Sequence, residues 1–175
     1  MRLAVIFPGQ GSQNKDMAEC FSNESCFNDI INVSSDILNY DIREAIKDDH
    51  KINDTVYTQP LMLSISYAMW ATLIKNININ SCLGAGHSLG EYTALVANKT
   101  LSFKDALLLV KKRAELMSSA MKKVDGAMAA VIGLDGEIVD HLCKGISKDG
   151  TIIEAVNLNC PGQTVIAGHS AAVEE

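Results

Sequence analysis

Gly86-His87-Ser88-Leu89-Gly90 has the residue types and spacing of a nucleophile turn. In G-x-S-x-G the serine sits on a sharp strand-to-helix turn, and the flanking glycines avoid the clash that a Cβ would make there. Such a turn pushes the Ser88 hydroxyl outward and aims the Leu89 N–H and a helix N-terminus at any oxyanion that forms. The same pentapeptide also occurs as an ordinary turn. Arg113 is the second candidate. It lies at the edge of a helix's inward stripe, where a guanidinium needs an anion. That anion is either an Asp or Glu of a neighbouring helix or a substrate carboxylate, which a planar fork grips through two parallel bonds. The third candidate is Gly9-Gln10-Gly11-Ser12, whose glycines permit close backbone approach. This loop is either a tight βα turn or a second N–H donor facing Leu89 across an oxyanion, each donor contributing about 3–4 kcal/mol. It lacks the G-x-G-x-x-G spacing and the P-loop lysine, which argues against nucleotide phosphates.

A serine nucleophile also needs a base, and none of the four histidines fits well. His87 adjoins Ser88, and neighbours on such a turn point apart. His50 stands in a charged, solvated stretch, while His141 and His169 fall in a later segment as surface residues. Cys160 reads as a turn residue and Glu91 as a helix N-terminal acid complementing the dipole. Lys111-Lys112 and Lys122-Lys123 read as solvated helix faces that could also meet an acidic partner.

The elements that must position these groups follow from the apolar spacing. Leu3–Phe7 reads as a buried strand entering the Pro8-Gly9-Gln10-Gly11-Ser12-Gln13 loop. Helical segments are expected at Met17–Phe21 and Cys26–Leu38, and a long apolar helix at Leu61–Ile74 with Pro60 near its first position. Asn76–Asn80 is a loop, Cys82–Ala85 the strand before the turn, and Glu91–Ala97 the helix after it. Ser102 caps a helix from Phe103 to about Lys122, with Phe103, Ala106, Val110, Ala114, Met117 and Met121 as its inward stripe. Beyond Asp125-Gly126 the order is strand 127–133, helix 136–146, strand 152–159, strand 164–167 and a helix from Ser170. That β-α-β-β-α order is five of the six elements of a ferredoxin-like unit. Two domains are expected, 1–124 and 125–175, the second ending before its last strand.

The chain has 175 residues, 47% of them hydrophobic, enough for a substantial core. A net charge of −6 argues against nucleic acid or an anionic membrane as partner. No apolar run reaches membrane-spanning length, and the apolar start is too short for a secretory signal. Five scattered cysteines without a C-x-x-C pair point to reduced cytoplasmic thiols, with no zinc site and no disulfide framework.

The whole chain, in order, resembles the malonyl-CoA:acyl carrier protein transacylase family. The residues that carry the likeness are Phe7-Pro8-Gly9-Gln10-Gly11-Ser12-Gln13, Thr58-Gln59-Pro60, Gly86–Tyr92, Arg113, Gly126-Ala127-Met128-Ala129-Ala130 and Asn157–Gln163. The resemblance implies an α/β-hydrolase-like core, here incomplete, with an inserted ferredoxin-like subdomain. It implies that Ser88 takes up malonyl from malonyl-CoA as an ester and passes it to the phosphopantetheine thiol of acyl carrier protein, in fatty acid synthesis. Gln10 and Leu89 amides would hold the oxyanion, Arg113 the malonyl carboxylate, and Met117 would line the acyl site. Leu89 matches the malonyl-selective pattern, where methylmalonyl-using members often have Gln. No cofactor is implied beyond CoA and phosphopantetheine as acyl carriers. The family's catalytic histidine and a supporting glutamine come from a later part of the core than residue 175. The alternatives are a non-catalytic fragment of such an enzyme, a serine hydrolase, or a polyketide-type acyltransferase.

Overall fold

The computed structural model describes residues 2–77, 81–121 and 125–175, in a mixed α/β arrangement. The chain divides into two compact units, Met1–Ser118 and Ser119–Glu175.

In the first unit, strand β1 (Arg2–Phe7) pairs in parallel with β2 (Ser81–Gly86), Phe7 standing opposite Gly86. A parallel pair needs a long crossover, and helices supply it. These are α1 (Ser25–Leu38), α2 (Ile42–Lys47) and α3 (Thr55–Asn76). Helix α4 (Leu89–Ala97) leaves β2 directly, and α5 (Phe103–Met121) follows. Their shared core includes Ile31, Leu38, Leu61, Leu63, Leu89 and Leu107. Trp70 of α3 meets Phe7 edge to face at 6.1 Å, seating α3 on the first strand.

Several expectations are corrected. β1 is not a buried strand: Ile6 is 75% and Leu83 79% exposed, because α3 and α4 cover one face of the pair and nothing described covers the other. Helix α3 begins six residues before Leu61. Asp54 caps it by accepting from Val56 N–H at 3.0 Å, which puts Pro60 in the second turn. Residues 17–21 contain only a 3-10 turn, Glu19–Phe21. Helix α2 was not expected from the sequence; Asp41 caps it with bonds from the N–H groups of Arg43 and Glu44. The expected cap of α5 is present, Ser102 Oγ accepting from Asp105 N–H at 3.1 Å. Its stripe buries Ala106, Val110 and Ala114 and also Leu107, but Met117 and Met121 remain exposed because the last turn has no core beneath it. Most of the expected loop 76–80 and the Lys122-Lys123 pair lie outside the described residues.

The second unit is a three-stranded antiparallel sheet ordered β3-β5-β4, from β3 (Gly126–Ile132), β4 (Ile153–Cys160) and β5 (Gln163–His169). Helices α6 (Gly136–Ile146) and α7 (Ser170–Glu174) supply Val139, Cys143 and Ala172, which pack with Ile153. Burial raises the Cys143 thiol pKa, with Asp140 adding to the shift. Pro161-Gly162 turns β4 into β5, Gly162 taking the positive φ of 78° that such a turn requires. Among the described residues no helix is long and apolar enough to cross a membrane.

Candidate active site

Ser88 stands between β2 and α4 with φ 51° and ψ −107°, outside the regions an L-residue normally occupies. Backbone strain of that kind costs on the order of 1–3 kcal/mol and persists only where surrounding structure enforces it. The enforcement is visible in two glycines. A Cβ on Gly86 would lie 2.0 Å from the Gly90 carbonyl carbon, and one on Gly90 would lie 2.1 Å from the Phe7 oxygen. Both obstacles are backbone, so neither can move aside. His87 N–H donates to the Phe7 carbonyl at 3.1 Å, and Gly90 N–H donates to the His87 carbonyl at 2.9 Å. The end of β1 and the turn are thereby fastened together, with the Ser88 side chain exposed.

The loop that follows β1 closes on the same turn. Gly9 is buried, and a Cβ there would meet the His87 carbonyl oxygen at 2.7 Å and its Nδ1 at 2.8 Å. Ser12 Oγ donates to the Gly9 carbonyl at 3.0 Å, and Gly11 N–H donates to Gln13 Oε1 at 2.7 Å. The backbone N–H groups of Gln10 and Leu89 donate to no acceptor among the described residues. The close approach expected of the loop is made by Gly9 and brings Gln10 beside the serine turn, whereas Gly11 faces open space and serves through its positive φ of 108°.

Arg113 projects from α5 to the same place. Its Nη2 donates to Ser88 Oγ at 3.0 Å, its Nη1 donates to Gln59 Oε1, and its guanidinium carbon lies 5.8 Å from the centre of the Tyr92 ring. Among the described residues no carboxylate pairs with it, which overturns the reading in which an Asp or Glu of a neighbouring helix neutralises Arg113. A guanidinium has only donors, so Arg113 cannot be the base for Ser88, and it is the one hydrogen-bond partner of Oγ among the described residues. Met117, one turn further on, places its sulfur 3.4 Å from Gln59 Nε2.

Among the described residues of the first unit, His50 makes no hydrogen bond to Ser88. His50 precedes a 3-10 turn at Lys51–Asn53, His141 is exposed on α6, and His169 is only half-exposed, its Nδ1 accepting from Ile152 N–H at 2.9 Å. Cys160 and Glu91 are both exposed. No group of His, Cys, Asp and Glu able to hold a metal occurs among the described residues.

Three participants carried no site role in the sequence. Gln59 is fully buried and holds Arg113; Thr55, one turn earlier on α3, accepts from Gln59 Nε2 at 2.8 Å; Tyr92 offers its ring to the guanidinium. A glutamine directly before the apolar run Pro60–Leu63, four residues after a threonine, was the available signal.

Residues 5–175 match the acyl transferase domain family. A malonyl CoA-acyl carrier protein transacylase of Staphylococcus aureus (strain COL) is 45% identical over 99% of this chain and 56% of its own length. That of Haemophilus influenzae (strain ATCC 51907 / DSM 11121 / KW20 / Rd) is 40% identical over the same shares. Among solved structures, an acyl-carrier-protein S-malonyltransferase of Burkholderia pseudomallei 1710b superposes with a TM-score of 0.92 at 41% identity, covering 99% of this chain and 57% of that one. A malonyl-transacylase in complex with a type II PKS acyl-carrier protein gives 0.93 at 40% identity, with the same coverage. The chain spans about half the length of the curated relatives it matches.

Proposed function

Since the chain belongs to the acyl transferase domain family, we propose that its site takes the malonyl group from malonyl-CoA and delivers it to the phosphopantetheine thiol of acyl carrier protein. Ser88 Oγ attacks the thioester carbonyl, the C–S bond breaks, CoA leaves as the thiol, and an O-malonyl ester remains. The carrier thiol then attacks that ester and frees the serine, a ping-pong sequence. Gln10 and Leu89 N–H groups, both without acceptors among the described residues, are the donors for the oxyanion.

The observation that carries the reading is the distance of 3.0 Å between Arg113 Nη2 and Ser88 Oγ. A malonyl ester has its free carboxylate one methylene beyond the reacting carbonyl, so a cation beside the nucleophile suits that acyl group. Acetyl would leave the guanidinium without an anion, and a missing partner is what specificity of this kind rests on. A hydrolase of simple esters has no use for such a clamp. Met117 then lines the acyl group. The S. aureus and B. pseudomallei proteins, malonyl transferases to acyl carrier protein, support the choice of donor and acceptor. The same likeness supports a hydrolase-like core over 1–124, a ferredoxin-like subdomain over 125–175, a cytoplasmic setting in fatty acid synthesis, and no cofactor beyond the acyl carriers. The parallel β1–β2 pair with its helical crossover and the β3-β5-β4 order fit those two architectures.

The test is the intact mass of the purified chain after incubation with malonyl-CoA or acetyl-CoA. A malonyl-sized gain, absent in Ser88→Ala, is expected. Arg113→Ala should slow malonyl uptake roughly tenfold to a hundredfold, the range for losing a hydrogen-bonded charge pair, and leave acetyl uptake equal or faster. Equal losses for both acyl groups would remove the clamp from the mechanism, and no gain with either thioester would remove the activity from this chain.

A further inference from the structure

We propose that Gln59, backed by Thr55, is the positioning residue for Arg113 and ties the clamp to the loop that carries Gln10. The inference rests on the reading of Arg113 as a carboxylate clamp. Four side chains form one line of hydrogen bonds: Arg113 Nη1 to Gln59 Oε1, Gln59 Nε2 to Thr55 Oγ1, and Thr55 Oγ1 to Gln10 Oε1 at 2.8 Å.

The direction of every bond in this line follows from Arg113. A guanidinium only donates, so the Gln59 amide must turn its oxygen toward it. The amide nitrogen then faces Thr55, whose hydroxyl oxygen accepts and whose proton is left for Gln10 Oε1. A flipped Gln59 amide would set donor against donor at Arg113 and, with Gln59 fully buried, leave polar atoms unpaired. The line has one consistent arrangement, and it runs from the clamp on α5 through two turns of α3 to the loop after β1.

Amide chemistry at position 59 matters as much as its place. A glutamate there would also reach Arg113, but it would neutralise the guanidinium and have no proton for Thr55. Gln59 fixes the fork while leaving its positive charge for a ligand. Its contact with the Met117 sulfur at 3.4 Å extends the same hold to the side chain that lines the acyl group.

Nitrogen-15 NMR of the arginine guanidinium groups reads this directly. A held Arg113 gives separate, slowly exchanging Nη signals, identified by their loss in Arg113→Ala. We expect those signals in the parent chain and in Thr55→Ser, and averaged signals in Gln59→Leu and Thr55→Val. Thr55 is only half-buried, so Thr55→Val examines the same line should Gln59→Leu fail to fold. In the acylation assay the malonyl-over-acetyl rate ratio should fall about tenfold in Gln59→Leu, as expected for a lost hydrogen bond to a charged group, and should fall in Gln59→Glu because the new carboxylate takes the place of the ligand's. Averaged Arg113 signals in the parent chain, or signals that survive Gln59→Leu or Thr55→Val, would overturn the inference. So would an unchanged ratio in the Gln59 variants when Arg113→Ala lowers it. An unchanged ratio in Arg113→Ala itself, with the NMR result as expected, would instead sink the proposed function and leave the hydrogen-bonded line standing.

Discussion

Arg113 is held by an amide, a hydroxyl and a ring face, three neutral groups that orient a guanidinium without cancelling its charge. Tyr40 is the opposite case, a polar group buried without a hydrogen-bond partner among the described residues. Its hydroxyl is shut away from solvent, and burial, with the neighbouring Tyr57, raises its pKa well above the usual 10.0. The folded protein therefore keeps a proton that the unfolded chain releases as pH rises through about 10. This stability is complete below that pH and is lost above it. Tyr40→Phe should flatten the loss of thermal stability between about pH 9 and 11; an unchanged alkaline profile would count against Tyr40 as its source. At this scale the sequence was most informative where chemistry is written in short spacing. Ser88, Leu89 and Gln10 were named from motifs and Arg113 from its place on a helical stripe, and the structure brings Ser88, Gln10 and Arg113 into one hydrogen-bonded neighbourhood. Gln59 was not legible as a site residue, because its role depends on meeting Arg113, 54 positions away in sequence. The same distance in sequence left the partner of Arg113 undecided between carboxylate and ligand.

Among the elements, the serine turn is the most tightly specified, because two glycines there face backbone and not side chain. Gly90→Ala would force a methyl against the Phe7 carbonyl, and overpacking of this severity costs about 3 kcal/mol. We expect the thermal midpoint to drop by roughly 6–12 °C and Ser88 acylation to disappear with it. An alanine variant of parental stability would mean that β1 and the turn are not in the register described. Strands and helices with clear apolar periodicity, such as α5 and α6, were readable to within a residue or two. The start of α3 was not, since proline was given its usual first-turn place while Asp54 provided the cap six residues earlier. Helix α2 is only six residues long, too short for a repeat to register, and Asp41 is the one signal that marks it.

For the whole molecule, the mixed α/β class was legible. The outward faces were not, because periodicity tells which residues share a side and not whether that side is covered. Ile6 and Leu83 on the parallel pair, and Met128, Ile132 and Leu158 on the antiparallel sheet, are apolar side chains facing out. The pairing of β1 with β2 has a further consequence, in time. It joins residue 2 to residue 81, so the serine turn cannot take shape until helices α1 to α3 have brought those strands together. Contacts so distant in sequence form late, whereas helices form early. Trp70, the sole tryptophan, rests its ring edge on Phe7 and thus reports the arrival of the first strand. On refolding, its fluorescence should change more slowly than the helical circular dichroism, and simultaneous phases would show the strand docking with the helices. The chain would then carry its own clock for the moment at which the nucleophile comes into being.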